Sequence, residues 1–322
     1  MNHTDERYMA RCIQLARNGQ EGAPPNPMVG AVIVCDGRII GEGYHRKCGG
    51  PHAEVNAFAS VNDADRPQIP RSTIYVSLEP CAHYGKTPPC ADLIVRQGVR
   101  RCVVGCVDPF AQVQGRGIRK LQDAGIDVTV GVLEAECRWL NRRFFTFHRL
   151  QRPFITLKWA QTADGFIAVE GRPVTISTPL TQVLCHKRRA EHQAILVGRR
   201  TEETDHPSLT VRNWSGPDPR RIVLSHANGP LTEQLHTLWE ENVQSILVEG
   251  GRQTLQSFID QGLWDEAYVE TSPHTLAELL QLPAGHAFPS EPVAAPVLKE
   301  AQEIGCEQVD GQQIQCFLPQ NS

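Results

Sequence analysis

Two stretches of the chain, Pro51-His-Ala-Glu54 and Glu79-Pro-Cys-Ala-His-Tyr-Gly-Lys-Thr-Pro-Pro-Cys90, carry its most specific pattern. The imidazole of His52 and the thiolates of Cys81 and Cys90 are three ligands that suit Zn²⁺. Three protein ligands leave the fourth tetrahedral position open, which is typical of catalytic rather than structural zinc sites. The two stretches therefore predict a catalytic zinc centre.

A carboxylate accompanies the predicted ligands, because Glu54 lies two residues after His52. A carboxylate beside zinc can take a proton from water and pass it to a leaving nitrogen. His-x-Glu followed by a Pro-Cys pair is the signature of zinc-dependent deaminases. Glu54 is therefore the predicted proton carrier of a hydrolytic deamination.

The spacing of the two cysteines departs from the usual Pro-Cys-x-x-Cys half of that signature. Cys90 lies nine positions after Cys81, and the residues between them include His83 and Lys86. Both side chains could reach polar groups of a substrate. A closed structural zinc site with His83 as the fourth ligand is the alternative.

Length and charge limit the classes of protein and of partner. At about 150 residues per domain, the 322 residues predict two domains, each long enough to bury a core. The 32 Lys and Arg residues against 36 Asp and Glu give a net charge of −4, which provides no overall field to hold nucleic acid or an anionic membrane. We expect a small-molecule substrate, no nucleic-acid partner and no membrane association, and the sequence leaves a homo-oligomer open.

The sequence favours a cytoplasmic location. Its longest apolar runs, such as 28–34 and 102–107, are far shorter than the roughly 20 residues of a membrane-spanning helix. The first seven residues are polar, whereas a secretory signal places an apolar stretch after a basic start. Eleven cysteines are an odd number for a secreted disulfide framework, so we expect metal ligands and buried thiols.

Strand and helix patterns alternate along the first half of the chain. Periodicity predicts helices over 5–17, 91–97 and 118–124 and strands over 29–34, 38–43, 74–78, 101–107 and 126–132. Asp36-Gly37 predicts a two-residue hairpin between the first two strands. The alternation predicts an α/β fold with a mostly parallel sheet, and the basic, aromatic stretch 141–152 is interpreted as a domain junction.

The second half repeats the α/β pattern. Strands are predicted over 154–158, 194–197, 221–224 and 245–248, a helix over 254–261, and a loop over 283–296. Lys158 is expected at the end of its strand. Glu249-Gly-Gly251 lies between a strand and a helix, where backbone amides can bind a cofactor phosphate; a turn that needs positive φ is the simpler explanation.

Longer stretches around the zinc pattern are also distinctive. They are Asn26-Pro-Met-Val-Gly30, Gly43-Tyr-His45, His52-Ala-Glu54, Glu79 to Cys90 and Asp108-Pro109. These stretches resemble the deaminase half of the bifunctional riboflavin-biosynthesis deaminase/reductase family. The long Cys spacing separates that family from the cytidine, guanine and tRNA adenosine deaminases, which resemble the short form. The resemblance implies a cytidine-deaminase-like three-layer domain over residues 1–148.

The same resemblance implies roles for individual residues of this domain. It implies that His52, Cys81 and Cys90 bind zinc and that Glu54 transfers protons. The residues that it implies as contacts to the pyrimidine or its ribose phosphate are Asn26, His45, His83 and Lys86. Family members commonly have Asn where this chain has Phe110.

The second half resembles the reductase half of the same family. The matching stretches are Leu157-Lys158, Ala163-Asp-Gly165, Ile176 to Pro179, Arg189-Ala190, Thr201, Asp205 to Arg212 and Val248 to Gly251. The resemblance implies a dihydrofolate-reductase-like α/β domain over residues 149–322 that uses NADPH. The implied cofactor contacts are Gln161, Thr175, Ser177, Thr201, Asp205, Gly250, Gly251, Arg252, Gln253, Thr254 and Leu255. The implied substrate contacts are Lys158, Arg189, Leu209, Arg212 and Glu249. A guanidinium can make two parallel bonds to phosphate oxygens, so Arg189 and Arg212 suit a phosphate.

The leading hypothesis is a two-step enzyme. Zinc-dependent hydrolytic deamination of 2,5-diamino-6-ribosylamino-4(3H)-pyrimidinone 5′-phosphate would be followed by NADPH reduction of the ribosyl chain to ribityl. One alternative is another nucleoside or RNA-base deaminase with a non-catalytic C-terminal domain. The other is a zinc-retaining binding module, because Gln161, Thr175 and Ser225 depart from residues that are common in the family.

Overall fold

The alternating strands and helices form one sheet-based unit in each half of the chain. The computed structural model describes residues 3–82, 88–110, 114–170, 174–283 and 285–320. The chain separates into two units, Met1–Gln151 and Arg152–Ser322. Within the described ranges, no helix combines the length and the hydropathy that a membrane span requires.

The first unit contains five strands and six α-helices among its described residues. In chain order they are α1 (His3–Arg17), β1 (Gly30–Cys35), β2 (Arg38–Tyr44), α2 (Ala53–Ala59), β3 (Thr73–Leu78), α3 (Cys90–Gln97), β4 (Arg101–Cys106), α4 (Arg116–Asp123), β5 (Asp127–Val130), α5 (Glu134–Leu140) and α6 (Arg142–Leu150). The predicted helices and strands of this half are confirmed within a few residues. The expected junction at 141–152 is mostly the helix α6.

The sheet of the first unit is mixed, with the order β2-β1-β3-β4-β5. β1 pairs antiparallel with β2 and β3, whereas β3–β4 and β4–β5 are parallel. The prediction of a mostly parallel sheet is therefore wrong for this unit, because the β1–β2 hairpin turns the chain back before β3 begins. The predicted hairpin turn is confirmed, since Asp36 and Gly37 have φ values of 48° and 77°, as a tight two-residue turn requires.

Both faces of this sheet are covered, which gives three layers. Along β1, Ala31 and Ile33 pack on one face with residues of α2, α3 and α4. Val32 and Val34 pack on the other face with residues of α1, α5 and α6. A strand that is buried on both faces has a continuous apolar sequence, which is what β1 shows. The expected three-layer architecture is thus confirmed.

The second unit is built on a larger sheet. In chain order its elements are β6 (Phe154–Gln161), β7 (Phe166–Val169), α7 (Pro179–Ala190), β8 (Ala194–Gly198), α8 (Arg199–Asp205), β9 (Arg220–Leu224), α9 (Leu231–Glu240), β10 (Ser245–Val248), α10 (Arg252–Asp260), β11 (Glu266–Thr271), α11 (Leu276–Leu279), β12 (Pro292–Ala294), β13 (Ala301–Val309) and β14 (Gln312–Pro319). The sheet order is β13-β14-β11-β6-β10-β8-β9. Strands β11 to β9 in that order are parallel, and the β13–β14 hairpin adds antiparallel pairs at one edge.

Two expectations for the second half are wrong. Lys158 does not end its strand, because β6 continues to Gln161, paired with β11. Residues 283–296 are not entirely loop, because β12 lies within them and pairs with β7. Non-local strand pairing extends or creates both elements, and local sequence patterns do not report such pairing.

A glycine on β2 sets the position of α2, the helix that follows His52. A Cβ atom added to Gly43 would lie 2.3 Å from the Ala57 nitrogen and 2.6 Å from the Ala53 oxygen. Only a residue without a side chain permits this approach of helix backbone to strand.

We expect Gly43→Ala to lower the free energy of unfolding of the first unit by about 1–3 kcal/mol, because the added methyl group overpacks the contact between α2 and β2. Urea denaturation measures this change. Gly305→Ala is the matched control, since its added Cβ meets nothing within 4 Å and stability should stay the same or rise slightly. Equal stability of the two variants would contradict the interpretation.

Candidate active sites

The three predicted zinc ligands come together in the first unit. His52 directly precedes α2, Cys90 is the first residue of α3, and Cys81 follows β3. The ligand atoms of all three lie within 4.8 Å of one another. His52 Nδ1 is 3.6 Å from Cys81 Sγ and 3.3 Å from Cys90 Sγ. Tetrahedral zinc with bonds of about 2.1 Å to nitrogen and 2.3 Å to sulfur separates such ligands by about 3.5 Å, so the donor set and its spacing fit zinc.

The side chains of Cys81 and Cys90 are hydrogen-bonded to each other. A hydrogen bond from the Cys90 thiol lowers the pKa of Cys81, and His52 contributes further. The same contact raises the pKa of Cys90. Zinc binds thiolates and releases such protons. The backbone amide of Cys90 also donates to Cys81 Sγ at 3.3 Å, and this donor remains after the proton has left.

Glu54 lies in the first turn of α2 and is buried, with 3% of its surface exposed. Burial raises the pKa of its carboxyl group, and the negative charge of Cys81 acts in the same direction. Its carboxylate also interacts with the Cys90 side chain. Glu54 is therefore next to the ligands, in an environment that favours the protonated form more than water does.

Asn26 and His45 form a second polar group near His52. His45 Nδ1 lies 3.0 Å from the Pro51 carbonyl oxygen and must donate to it, so Nε2 accepts from the Asn26 amide at 3.0 Å. Burial lowers the pKa of His45, which agrees with the neutral ring. The ring stands edge-on to His52 at 5.4 Å between centroids. Both nitrogens of His45 thus have protein partners, whereas the amide oxygen of Asn26 has none among the described residues.

Other residues singled out in this half have mixed outcomes. His83 and Lys86 lie outside the described residues. The Phe110 ring packs against His148, with 5.1 Å between centroids. Asp108 is buried, and burial raises its pKa to about 6.

Glu79 is a residue that the sequence interpretation overlooked, although it stands in the quoted motif. Its buried carboxylate accepts four backbone N–H groups, from Asp108 (3.2 Å), Gly115 (2.9 Å), Gly117 (2.9 Å) and Ile118 (3.3 Å). A Cβ atom on Gly117 would lie 1.9 Å from the Pro80 oxygen. The residues just before Cys81 are therefore clamped to the start of α4.

The second unit contains a cavity of about 1380 Å³, larger than the roughly 300–1,000 Å³ of a typical small-molecule pocket. Its lining includes most predicted reductase residues: Lys158, Thr175, Ser177, Arg189, Thr201, Asp205, Arg212 and residues 249–255. Gln161 and Leu209 are missing from the described lining. Gln161 accepts a hydrogen bond from the Trp159 indole, and Leu209 is buried in an apolar cluster with Ile195.

Two buried carboxylates, Glu249 and Glu270, bind polar side chains that line this cavity. Glu249 receives two bonds from Arg189, at 2.8 and 2.6 Å. Burial alone would raise the pKa of Glu249, but Arg189 and Lys158 outweigh it and lower the pKa. Glu270, which the sequence interpretation missed, accepts from the Ser177 hydroxyl at 2.8 Å and lies 3.9 Å from Lys158 Nζ. No local motif marks Glu270.

The glycine pair after β10 forms a cradle on the cavity wall. Gly251 has a φ of 72°, so the turn does need positive φ. A Cβ on Gly251 would lie 2.8 Å from Thr201 Oγ1, and one on Gly250 would lie 2.7 Å from Val197 Cγ1. Helix α10 begins immediately afterwards. Open backbone amides before a helix suit the phosphates of a dinucleotide, so this wall fits NADPH.

Family models match both units. The cytidine and deoxycytidylate deaminase zinc-binding region matches residues 2–106, and the RibD C-terminal domain matches residues 153–234. Each unit thus contains one matched region, a zinc-binding region in the first and a RibD C-terminal domain in the second.

Whole-chain relatives agree with the two family models. The riboflavin biosynthesis protein RibD of Aquifex aeolicus is 38% identical, and the match covers 86% of this chain and 89% of that protein. A solved RibD structure from Acinetobacter baumannii has a TM-score of 0.84 at 30% identity, covering 98% and 99% of the two chains. A deaminase/reductase structure from Thermotoga maritima has a TM-score of 0.83 at 32% identity, covering 98% and 99%.

We expect Glu79→Gln to weaken zinc binding about 10–100-fold, the usual loss when a group that holds a metal ligand in position is removed. The new amide NH₂ would face backbone N–H donors and release the segment before Cys81. Competition with a chromophoric chelator measures the affinity. Glu134→Gln, which removes only a surface pair with Arg138, is the control. Unchanged zinc affinity in Glu79→Gln would refute the clamp.

Proposed function

Because the chain belongs to the RibD family of riboflavin biosynthesis proteins, we propose that its two units act in turn on one pyrimidine phosphate. The chain is a bifunctional enzyme, a zinc-dependent deaminase and an NADPH-dependent reductase. We assign deamination to the first unit and reduction to the second. The convergence of His52, Cys81 and Cys90 beside Glu54 is the observation that supports this assignment most directly.

For the first step we propose 2,5-diamino-6-ribosylamino-4(3H)-pyrimidinone 5′-phosphate as the substrate. Water replaces one ring amino group, and ammonia leaves. Zinc, when held by His52, Cys81 and Cys90, supplies a Lewis acid that makes water nucleophilic at neutral pH. The Glu54 carboxylate accepts the proton from that water and returns it to the departing nitrogen. The burial that raises the Glu54 pKa suits a group that holds a proton during turnover.

We propose that Asn26 contacts the pyrimidine and that His45 holds Asn26 in place. The Pro51 carbonyl fixes the His45 ring through a hydrogen bond to Nδ1. The ring in turn orients the Asn26 amide through the hydrogen bond at Nε2. The amide oxygen of Asn26 then accepts a hydrogen bond from a substrate amino group. Substrate contacts by His83 and Lys86, expected from the resemblance alone, complete the proposal.

For the second step we propose reduction of the ribosyl carbon that bears the pyrimidine amine, which opens the sugar to ribityl. NADPH supplies the hydride, so the protein mainly has to align donor and acceptor. Thr201, Asp205 and the turn at Gly250 and Gly251, which line the cavity, would hold the dinucleotide. Arg189 and Arg212 would bind the substrate phosphate, and Lys158 would lie near the ribose.

We propose that this enzyme works in the cytoplasm on a small molecule, without nucleic acid. The net charge of −4 supports this setting, as does the metabolic role of the family.

We expect Glu54→Gln to lower the deamination rate about 10²–10⁴-fold, the usual contribution of a positioned acid–base group. Its zinc content should stay at that of the wild type, because Glu54 is not one of the three ligands. Ammonia release measures the rate, and elemental analysis measures zinc. NADPH oxidation by the same protein, supplied with the deaminated substrate, is the internal control. Ammonia release at the wild-type rate in Glu54→Gln would contradict the proposed proton transfer by Glu54.

We expect Arg212→Ala to raise the reductase KM for the pyrimidine phosphate about 10–100-fold, since a charge-assisted contact contributes about 1.5–3 kcal/mol. Deamination should be unchanged. NADPH oxidation at varied substrate concentration measures the KM. Arg220→Ala, which removes an exposed pair with Glu241 outside the cavity lining, should leave the KM as it is. A KM increase below threefold in Arg212→Ala would mean that the Arg212 guanidinium is solvated and does not bind the substrate phosphate.

A further inference from the structure

A buried histidine lies in the reductase cavity and has no role in the scheme above. His186 is on α7, with 3% of its surface exposed, and lines the cavity together with Cys185 and Arg189. Arg189 lies four positions after Cys185 and three after His186, so its side chain is a neighbour of both on the helix surface.

The Nδ1 atom of His186 accepts two backbone hydrogen bonds. The N–H of Arg212 donates at 3.0 Å and that of Asn213 at 3.3 Å. Only an unprotonated ring nitrogen can accept hydrogen bonds from two N–H donors. The imidazole is therefore neutral, with its proton on Nε2. Burial lowers the pKa of His186, and the charges of Arg189 and Arg212 lower it further, in the direction that favours this neutral ring.

The segment that donates these two bonds has no regular structure to hold it. Residues 206–212 belong to neither helix nor strand. Side chains hold them instead: Arg189 donates to the Thr210 carbonyl at 3.1 Å, and Asp218 accepts from the Val211 amide at 2.6 Å. His186 accepts the bond from the backbone of Arg212 itself, the residue whose guanidinium is proposed to bind phosphate.

We propose that His186 is a positioning residue for the anionic group of the reductase substrate. Its Nδ1 fixes the backbone at Arg212, and its Nε2–H adds a donor beside the two arginines. This Nε2–H has no partner among the described residues, so it is available to a phosphate oxygen. The proposal rests on the proposed function, in which Arg212 binds the phosphate of a ribosyl phosphate.

Three substitutions separate the two nitrogens. His186→Ala removes both. His186→Asn keeps a carbonyl oxygen near Nδ1 that can accept the backbone N–H groups, but it has nothing at Nε2. His186→Gln reaches the Nε2 position and loses the acceptor near Nδ1. His236→Ala is the control, because His236 is an exposed histidine of the same unit.

The experiment combines three measurements on the full-length zinc-loaded protein. Hydrogen exchange reports protection of the Arg212 and Asn213 amides. Calorimetry gives the Kd for ribose 5-phosphate, used as the probe of the anion site. NADPH oxidation gives kcat and KM for the pyrimidine phosphate.

We expect His186→Ala to raise amide exchange at Arg212 and Asn213, and to raise both Kd and KM about tenfold, the equivalent of one or two hydrogen bonds. Its kcat should change less than about threefold, because binding is lost equally in ground and transition states. His186→Asn should restore the amide protection and recover part of the affinity, whereas His186→Gln should not restore the protection. Deamination should stay normal throughout.

Wild-type protection and Kd in His186→Ala would overturn the proposal. Identical exchange in the Ala and Asn variants would also overturn it, since the ring would then serve only as packing. Failure of wild-type protein to bind ribose 5-phosphate would contradict the anion role. If wild-type protein binds the probe but does not oxidise NADPH with the pyrimidine phosphate, the proposed reduction is wrong, and exchange and Kd still decide the role of His186.

Discussion

The structure of the first unit depends on bringing one imidazole and two sulfurs to within a zinc-binding distance of one another. The ligands stand at the starts of two helices and after one strand, so any movement of these elements separates them. Two features prevent that movement. The missing side chain of Gly43 lets α2 lie directly on β2, and the four backbone bonds to Glu79 tie the segment before Cys81 to α4. A metal centre with one open vertex needs this rigid support, because only three protein bonds hold it.

The second unit has a different requirement, because it buries charged side chains that must remain ionised. Glu249 forms two short hydrogen bonds with Arg189. Glu270 accepts a hydrogen bond from the Ser177 hydroxyl and forms an ion pair with the Lys158 ammonium. Buried charges are tolerated when they are paired and hydrogen-bonded. Arg212, by contrast, is an exposed cation of the cavity lining and has no carboxylate partner among the described residues. Its guanidinium is therefore available to form an ion pair with an anionic substrate.

The sequence was a good guide wherever the signal was local. Asp36-Gly37 predicted its hairpin because two successive positive φ values need those residue types, and the zinc ligands could be chosen because their chemistry is specific. Sheet direction and strand length could not be predicted in the same way, since β3 pairs with β1 and β6 extends along β11 through distant contacts. Glu270 and His186 were missed for the same reason. Their partners lie 93 and 26 residues away in the chain, and each looks like an ordinary helix or strand residue in isolation. His83 and Lys86 remain predictions.

The most direct test of this account is a zinc titration of deamination. The protein is stripped by exhaustive chelation, and ammonia release from the pyrimidine phosphate is followed as zinc is returned. The account predicts no release from the stripped protein and full recovery at one zinc per chain, with no recovery in a Cys81→Ser, Cys90→Ser variant. Normal ammonia release from the stripped protein, or full recovery in that double variant, would contradict it.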